Sequence, residues 1–330
     1  MTARARLLAC LLPVALAGSG CDVGISAVGI EGRFDRDLTV TGPLELEVTS
    51  GSGDIYVRTG PAGTVRVHGR IKAHGGWVSF SGQSAQDLIR EIEKAPPIEQ
   101  MGNHVQVGTR RSNNGWNGVS ISYEIIVPAN TRVTSRTGSG DLEVADVTGP
   151  VEASTGSGDI RVGRVQEEVT ARTGSGDIEL AGAAAARTST GSGNVTAMAV
   201  RGDLEARSGS GDIIVSQEGK GAVEVSTGSG DVELTGITGP LRVRASSGDI
   251  QLEGTPASNW EVSASSGDVR LRLPAKGGMD LDLRSSSGRI ETTVPITITG
   301  SQSRRELRGQ LRGGGPLVHV TTSSGAIVVQ

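Results

Sequence analysis

Carboxylates at a fixed spacing are the first feature of this chain able to do chemistry. Asp54, Asp141, Asp159, Asp177, Asp212, Asp231, Asp249 and Asp268, with Asn194 at the same place in its own copy, each follow the second Gly of the phrase T-G-S-G-D or a close variant. From Asp141 onward successive copies lie 17 to 19 residues apart. Repeats rich in Gly and Asp bind calcium in β-rolls, but there the unit is a nonapeptide, G-G-x-G-x-D-x-U-x. Here the phrase comes once in about 18 residues and Asp follows the second Gly directly, so that spacing is not met. The structural alternative is that each side chain caps its own turn by accepting backbone N–H bonds. Asn194 favours the cap, because an amide keeps an acceptor oxygen and gives up the charge, a change that a cap tolerates and a metal site should resist. No metal and no cofactor are expected at these positions.

The remaining reactive side chains are sparse. His68, His74 and His104 are scattered, and ordinary surface roles suit them better than a metal site. Cys21 follows a segment with the anatomy of an export signal: Arg4 and Arg6, then the apolar run 7–17, then Gly18-Ser19-Gly20. The run ending in Cys21 resembles the lipobox of bacterial lipoproteins, in which the Cys becomes the lipidated N-terminus, although Gly18 stands where that motif usually has Leu. Cys10 lies in the part removed, so Cys21 has no disulfide partner, which favours lipidation. Ala15-Leu16-Ala17 also fits ordinary signal cleavage, which would release a soluble protein. Loss of Arg4 and Arg6 takes the net charge from −4 to −6, and no basic footprint for nucleic acid remains.

The elements that must position the aspartates follow from period-2 alternation on both sides of the phrase. In the copy 169–180, Val169, Ala171 and Thr173 alternate with Thr170 and Arg172; after the turn, Ile178 and Leu180 flank Glu179. Aligned copies give one inward column of Leu46, Val133, Val151, Val169, Leu204, Val223, Leu241, Trp260, Leu281 and Val318. A second holds Ile55, Leu142, Ile160, Ile178, Val195, Ile213, Val232, Ile250, Val269, Ile290 and Ile327. The position before the turn is always small, from Ser50 and Thr137 through Ala245 and Ala264 to Thr322, which reads as a demand on size rather than polarity. Outward positions read as a freely varying solvated face. A repeat this short cannot bury its own apolar side, so the chain is expected to be all-β, a β-solenoid with rungs of about 18 residues.

In chain order, 1–20 is the signal and 21–45 a lipid-anchored tether and entry strand with Phe34 as an anchor. Residues 46–132 hold the first rung and an N-terminal capping interval with one short helix at about 84–94, N-capped by Ser84 and ended by Pro96-Pro97. Within it, 104–107 and 119–127 read as a hairpin whose loop exposes Trp116. Residues 133–330 form the solenoid, with a degenerate rung near 296–298 and a polar, mobile loop at about 301–315.

The segment Tyr123-Glu124-Ile125-Ile126-Val127-Pro128-Ala129-Asn130-Thr131, leading into repeated T-G-S-G-D-[ILV]-x-[VL], resembles a family of exported bacterial β-strand-repeat proteins catalogued as a domain of unknown function and candidate adhesin, related to the head-GIN adhesin domains. The resemblance covers about 30–330 and implies a β-solenoid in the cell envelope, with no catalytic residue to carry over. The expected function is a non-enzymatic envelope lipoprotein, scaffold or adhesin surface, held to the membrane through its N-terminal lipid, with an envelope protein or glycan as partner. The alternatives are a polysaccharide-acting β-helix enzyme, a calcium-dependent adhesin and a partner in envelope-stress regulation. The enzyme is disfavoured because no outward column gathers carboxylates, Arg or His beside aromatic platforms.

Overall fold

The computed structural model describes residues 30–73, 85–108, 118–274 and 277–330. Its strands form two sheets, of 14 and 15 strands, whose buried rows share one apolar core. The chain alternates between them. Strands leading into the Gly-Asp phrase build the 15-stranded leading sheet, and strands following it build the 14-stranded trailing sheet. Each strand pairs in parallel with its counterpart one rung away, which is the β-solenoid expected.

Register matches the alternation residue by residue. Val133, Val151, Val169, Ala186, Leu204, Val223, Leu241 and Trp260 are consecutive partners in the leading sheet. Leu142, Ile160, Ile178, Val195, Ile213, Val232, Ile250 and Val269 are consecutive partners in the trailing one. All are buried. Trp260 fits a column of smaller side chains because its indole N–H donates to the Gly239 carbonyl at 3.0 Å.

Both ends break the order of the chain. At the N-terminal end, β1 (Ile30–Thr39), β2 (Leu44–Ser50), β3 (Ile55–Thr59) and β4 (Thr64–Ala73) are followed by α1 (Ala85–Lys94), β5 (Ile98–Met101), β6 (His104–Val107) and β7 (Val119–Val127). The β2–β3 rung lies between the β6–β7 rung and the strands Thr131–Thr137 and Leu142–Val144. Leu46 therefore pairs beside Val133 although the repeat lapses between them. β6 and β7 are thus not a hairpin: they belong to different sheets and form a rung of their own. The hairpin partner of β6 is β5. Antiparallel β4 and β1 finish the trailing sheet, and α1 packs on β1 through buried Leu88, Ile89 and Ile92. Gly32 leaves space for Ile89, and Gly69 for the ring of Phe34, which meets Tyr123 edge-on at 6.4 Å. Ser84, Trp116, His74 and Cys21 lie outside the described residues.

At the C-terminal end, Leu317–Ser324 and Ile327–Val329 insert between the Trp260–Arg272 rung and the earlier strands Met279–Ser285 and Ile290–Thr292. The 301–315 run is not a loop. It contributes the strand Glu306–Leu311, antiparallel to Met279–Ser285, with Leu307 and Leu311 buried at the open end of the core. The segment expected as a degenerate rung is the outer strand of this antiparallel cap, Thr297–Gln302. The alternation here, Leu307 and Leu311 among Arg, Gly and Gln, is too dilute to signal a strand without the neighbour it covers.

Val169 is fully buried while Thr170 faces outward between Glu152 and Arg187. Val169→Asp should cost several kcal/mol in urea denaturation, and Thr170→Asp should stay within about 0.5 kcal/mol.

Candidate functional site

The phrase makes a tight corner because it carries no Cβ where rungs meet. A Cβ on Gly176 would overlap the carbonyl oxygen of Gly158, and the same overlap recurs from corner to corner. The backbone thereby approaches close enough for two side-chain relays to tie each corner to the next.

The aspartates form the first relay. The N–H of Asp159 donates to Asp141 Oδ1 at 2.9 Å, that of Asp177 to Asp159 Oδ1 at 3.0 Å, and that of Asn194 to Asp177 Oδ1 at 2.7 Å. Asn194 Oδ1 accepts from Asp212, and the line runs on through Asp231, Asp249 and Asp268 to the N–H of Ala326. At its start Asp54 Oδ1 accepts from Asp141, and Ser122 Oγ accepts the N–H of Asp54. The expected cap is corrected in one respect: each oxygen serves the following rung, not its own turn. The difference was hidden in the sequence because an acceptor needed by a neighbouring corner and one needed by its own select the same residue types. The charge also finds cations. Arg161 bonds Asp159 Oδ2 at 3.0 Å, and Arg270 bridges Asp249 and Asp268. The Asp268 N–H, and then Arg270, hold the Asp249 carboxyl below its ordinary range against partial desolvation. A depressed carboxyl stabilises the fold above its unfolded-state pKa, and that contribution disappears as pH falls through the lower folded value.

The small column is the second relay, and here polarity matters as well as size. Thr155 Oγ1 donates to the Gly140 carbonyl of the preceding rung at 2.9 Å and accepts the N–H of Gly158 in its own corner at 3.2 Å. Thr173 and Thr190 repeat both bonds. From Gly230 to Gly267 the corner changes, and Ser285 with Gly288 returns to the earlier pattern. Gly230, Gly248 and Gly267 take φ of 144°, 130° and 143°, and their N–H groups donate to Ser247, Ser266 and Ser324 carbonyls on the adjoining rung. The hydroxyl loses its donor there, and the column becomes Ala245 and Ala264.

One outward column of the leading sheet does not vary freely. Arg136, Ser154, Arg172, Ser189, Arg207, Ser226, Arg244 and Ser263 are consecutive partners, so Arg stands on every second rung. The signal was legible as Arg two residues before the first Gly or Ser of alternate corners. Arg136 is held by Glu47 and Glu152, and Arg207 by Glu205 and Glu224. Among the described residues neither Arg172 nor Arg244 has a carboxylate partner, and both are exposed. His68 pairs with Asp35 at 2.7 Å and His104 with Glu45 at 3.4 Å. No group of three or more His, Cys, Asp or Glu able to hold a metal occurs among the described residues.

A family model described as Toastrack DUF4097 matches residues 81–220 and 166–330. The chain belongs to this family. No curated protein matches it. Solved structures that match include a candidate cell adhesion protein from Clostridium sporogenes, 11% identical over 90% of this chain and 99% of that one, TM-score 0.23. Candidate adhesins from Bacteroides fragilis and Parabacteroides distasonis are 12% and 11% identical. They cover 91% and 90% of this chain, and 97% of each of theirs, with TM-scores of 0.30 and 0.39. In this Toastrack chain the repeated Gly-Asp phrase is thus the corner that stacks the rungs.

Asp177→Asn should be nearly neutral, since Asn194 makes the same bond, whereas Asp177→Ala should cost about 1 kcal/mol by leaving the Asn194 N–H without its acceptor. Excess chelator should leave the melting midpoint unchanged. A large drop on chelation, with Asp177→Asn as damaging as Asp177→Ala, would place a cation in the column.

Proposed function

We propose that this protein is a non-enzymatic, exported lipoprotein, tethered by lipid at Cys21, whose sheet faces serve as a scaffold or adhesion surface in the cell envelope. The observation that carries this reading is the regularity of those faces. Outward charges hold one another in ladders, Arg187 with Glu168 and Glu205, and Arg242 with Glu261, rather than converging on a point where a bond could be broken. A concavity of about 920 Å³ is an open furrow along the leading sheet that crosses these same pairs. A long, rigid, repetitive face suits an extended partner touched weakly at many places.

The tether reading rests on the sequence around Cys21. No helix among the described residues is long and apolar enough to cross a membrane. Attachment by lipid takes a modified N-terminus of the lipobox kind, which the run ending in Cys21 resembles.

Cys21→Ser should move the full chain from the detergent phase to the aqueous phase on phase partitioning. A wild-type protein already in the aqueous phase, or one whose mature N-terminus is Gly18, would show that Ala15-Leu16-Ala17 is the working cleavage site. The released Cys21→Ser protein should bind saturably to intact envelopes, and a chain unfolded by Val169→Asp should not. Equal, non-saturating uptake of both would remove the adhesion reading.

A further inference from the structure

The arginine column supplies a ligand chemistry for that surface, an inference that rests on the binding-surface reading above. Neighbouring rungs lie about 4.8 Å apart, so arginines on every second rung recur at about 9.6 Å along the solenoid axis, and Arg136 to Arg244 span about 29 Å. The acids beside them are already committed: Glu47 and Glu152 to Arg136, Glu205 and Glu224 to Arg207, Glu261 to Arg242. What remains is the charge of Arg172 and Arg244. Each of these arginines stands between serines on the flanking rungs, Ser154 and Ser189 for Arg172, Ser226 and Ser263 for Arg244. On the side away from the glutamates the column borders the bare first glycines, Gly156, Gly174, Gly191, Gly209 and Gly228, and beside Arg244 and Ser263 the small Ser246 and Ser265.

An ion-pair ladder built for stability alone would also separate arginines to avoid like-charge neighbours. It would not leave the partner of every second arginine missing. Guanidinium binds carboxylate through a planar pair of N–H donors, and Ser hydroxyls exchange hydrogen bonds with sugar hydroxyls and amides. An extended β-linked polysaccharide advances by close to one rung spacing per sugar. A chain with a carboxylate on alternate sugars therefore repeats in step with the column, every fourth sugar meeting an arginine without a carboxylate partner and the carboxylates between competing with glutamate for Arg136 and Arg207.

We propose that the column Arg136–Ser154–Arg172–Ser189–Arg207–Ser226–Arg244–Ser263 is a track for a linear polysaccharide carrying a carboxylate on every second sugar, with Arg172 and Arg244 as its principal anion contacts. The chain lies along the solenoid axis, perpendicular to the strands. Many weak contacts at a matched repeat give avidity without a deep pocket.

The test is calorimetric titration of the released Cys21→Ser protein with size-defined hyaluronan fragments, which bear one carboxylate per disaccharide. The controls are neutral chito-oligosaccharides and oligogalacturonate, which bears one carboxylate per sugar. Affinity should rise with fragment length and level off near the span of Arg136 to Arg244, and it should fall with added salt. Arg172→Ser with Arg244→Ser should weaken binding at least tenfold. Serine already occupies this column on alternate rungs, so an unchanged circular dichroism spectrum is expected. Arg161→Ser, on the opposite sheet, should have no effect. Absence of hyaluronan binding, equal binding of the neutral fragments, or undiminished binding by the double variant would each overturn the proposal. So would oligogalacturonate binding as tightly as hyaluronan with equal sensitivity to Arg161→Ser, since that is charge attraction without register. Saturable envelope binding that survives such a failure would sink the polysaccharide match alone, and loss of both would sink the binding surface as well.

Discussion

The rungs of this solenoid are held at the distance at which one corner's carbonyl nearly fills the space above the next corner's second glycine. That approach leaves polar backbone groups close together, buried along the Thr relay and part-buried to exposed along the Asp relay. The Thr hydroxyl and the Asp carboxylate satisfy them, each passing a hydrogen bond across the gap between rungs. An unpaired buried N–H or C=O costs about 1–3 kcal/mol, comparable with the burial of a Val or Ile side chain, so each buried Thr-held group weighs about as much as one core side chain. This explains why the phrase is kept so tightly while the outward side chains change.

Stacked repeats that touch only their neighbours expose unfinished edges at both ends. Here each end inserts a rung out of chain order and covers the outermost one with antiparallel strands: β4 and β1 with α1 on the trailing sheet at one end, Glu306–Leu311 and Thr297–Gln302 on the leading sheet at the other. The inserted rungs at Leu46 and Val318 carry the same inward columns as the rest. The chain therefore fills an interior slot with a segment remote in sequence, and each end joins the stack by long-range pairing instead of extending it one rung at a time.

Much of this was readable from the residues. The alternation of Val169, Ala171 and Thr173 fixed the buried side because a one-residue slip would invert it, and the amphipathic pattern of Leu88, Ile89 and Ile92 gave the helix. Order within the stack was not readable, because Leu46 and Val318 have the same local pattern wherever their rung sits. The C-terminal cap was missed because Leu307 and Leu311 are apolar islands in a polar run. The Thr column was read by size because Ala245 and Ala264 occupy it. The switch in corner φ at Gly230, Gly248 and Gly267 removes the N–H that the hydroxyl would accept, which lets the Ala245 and Ala264 rungs do without one, while Thr227 keeps only its bond to the Gly211 carbonyl. The arginine column has a period of two repeats, so the pattern of a single repeat does not show it.

The central claim is that corners, and not strands alone, couple the rungs. Native-state hydrogen exchange at the amides of Gly158, Gly176, Asp159, Asp177 and Asn194 tests it most directly, since these N–H groups are held by side chains and not by strand ladders. The account predicts protection comparable to that of Val169 and Ile178 in the adjoining strands, with Thr173→Val releasing Gly176 selectively. Exchange at these corner amides as fast as in exposed turns, beside fully protected strands, would contradict it.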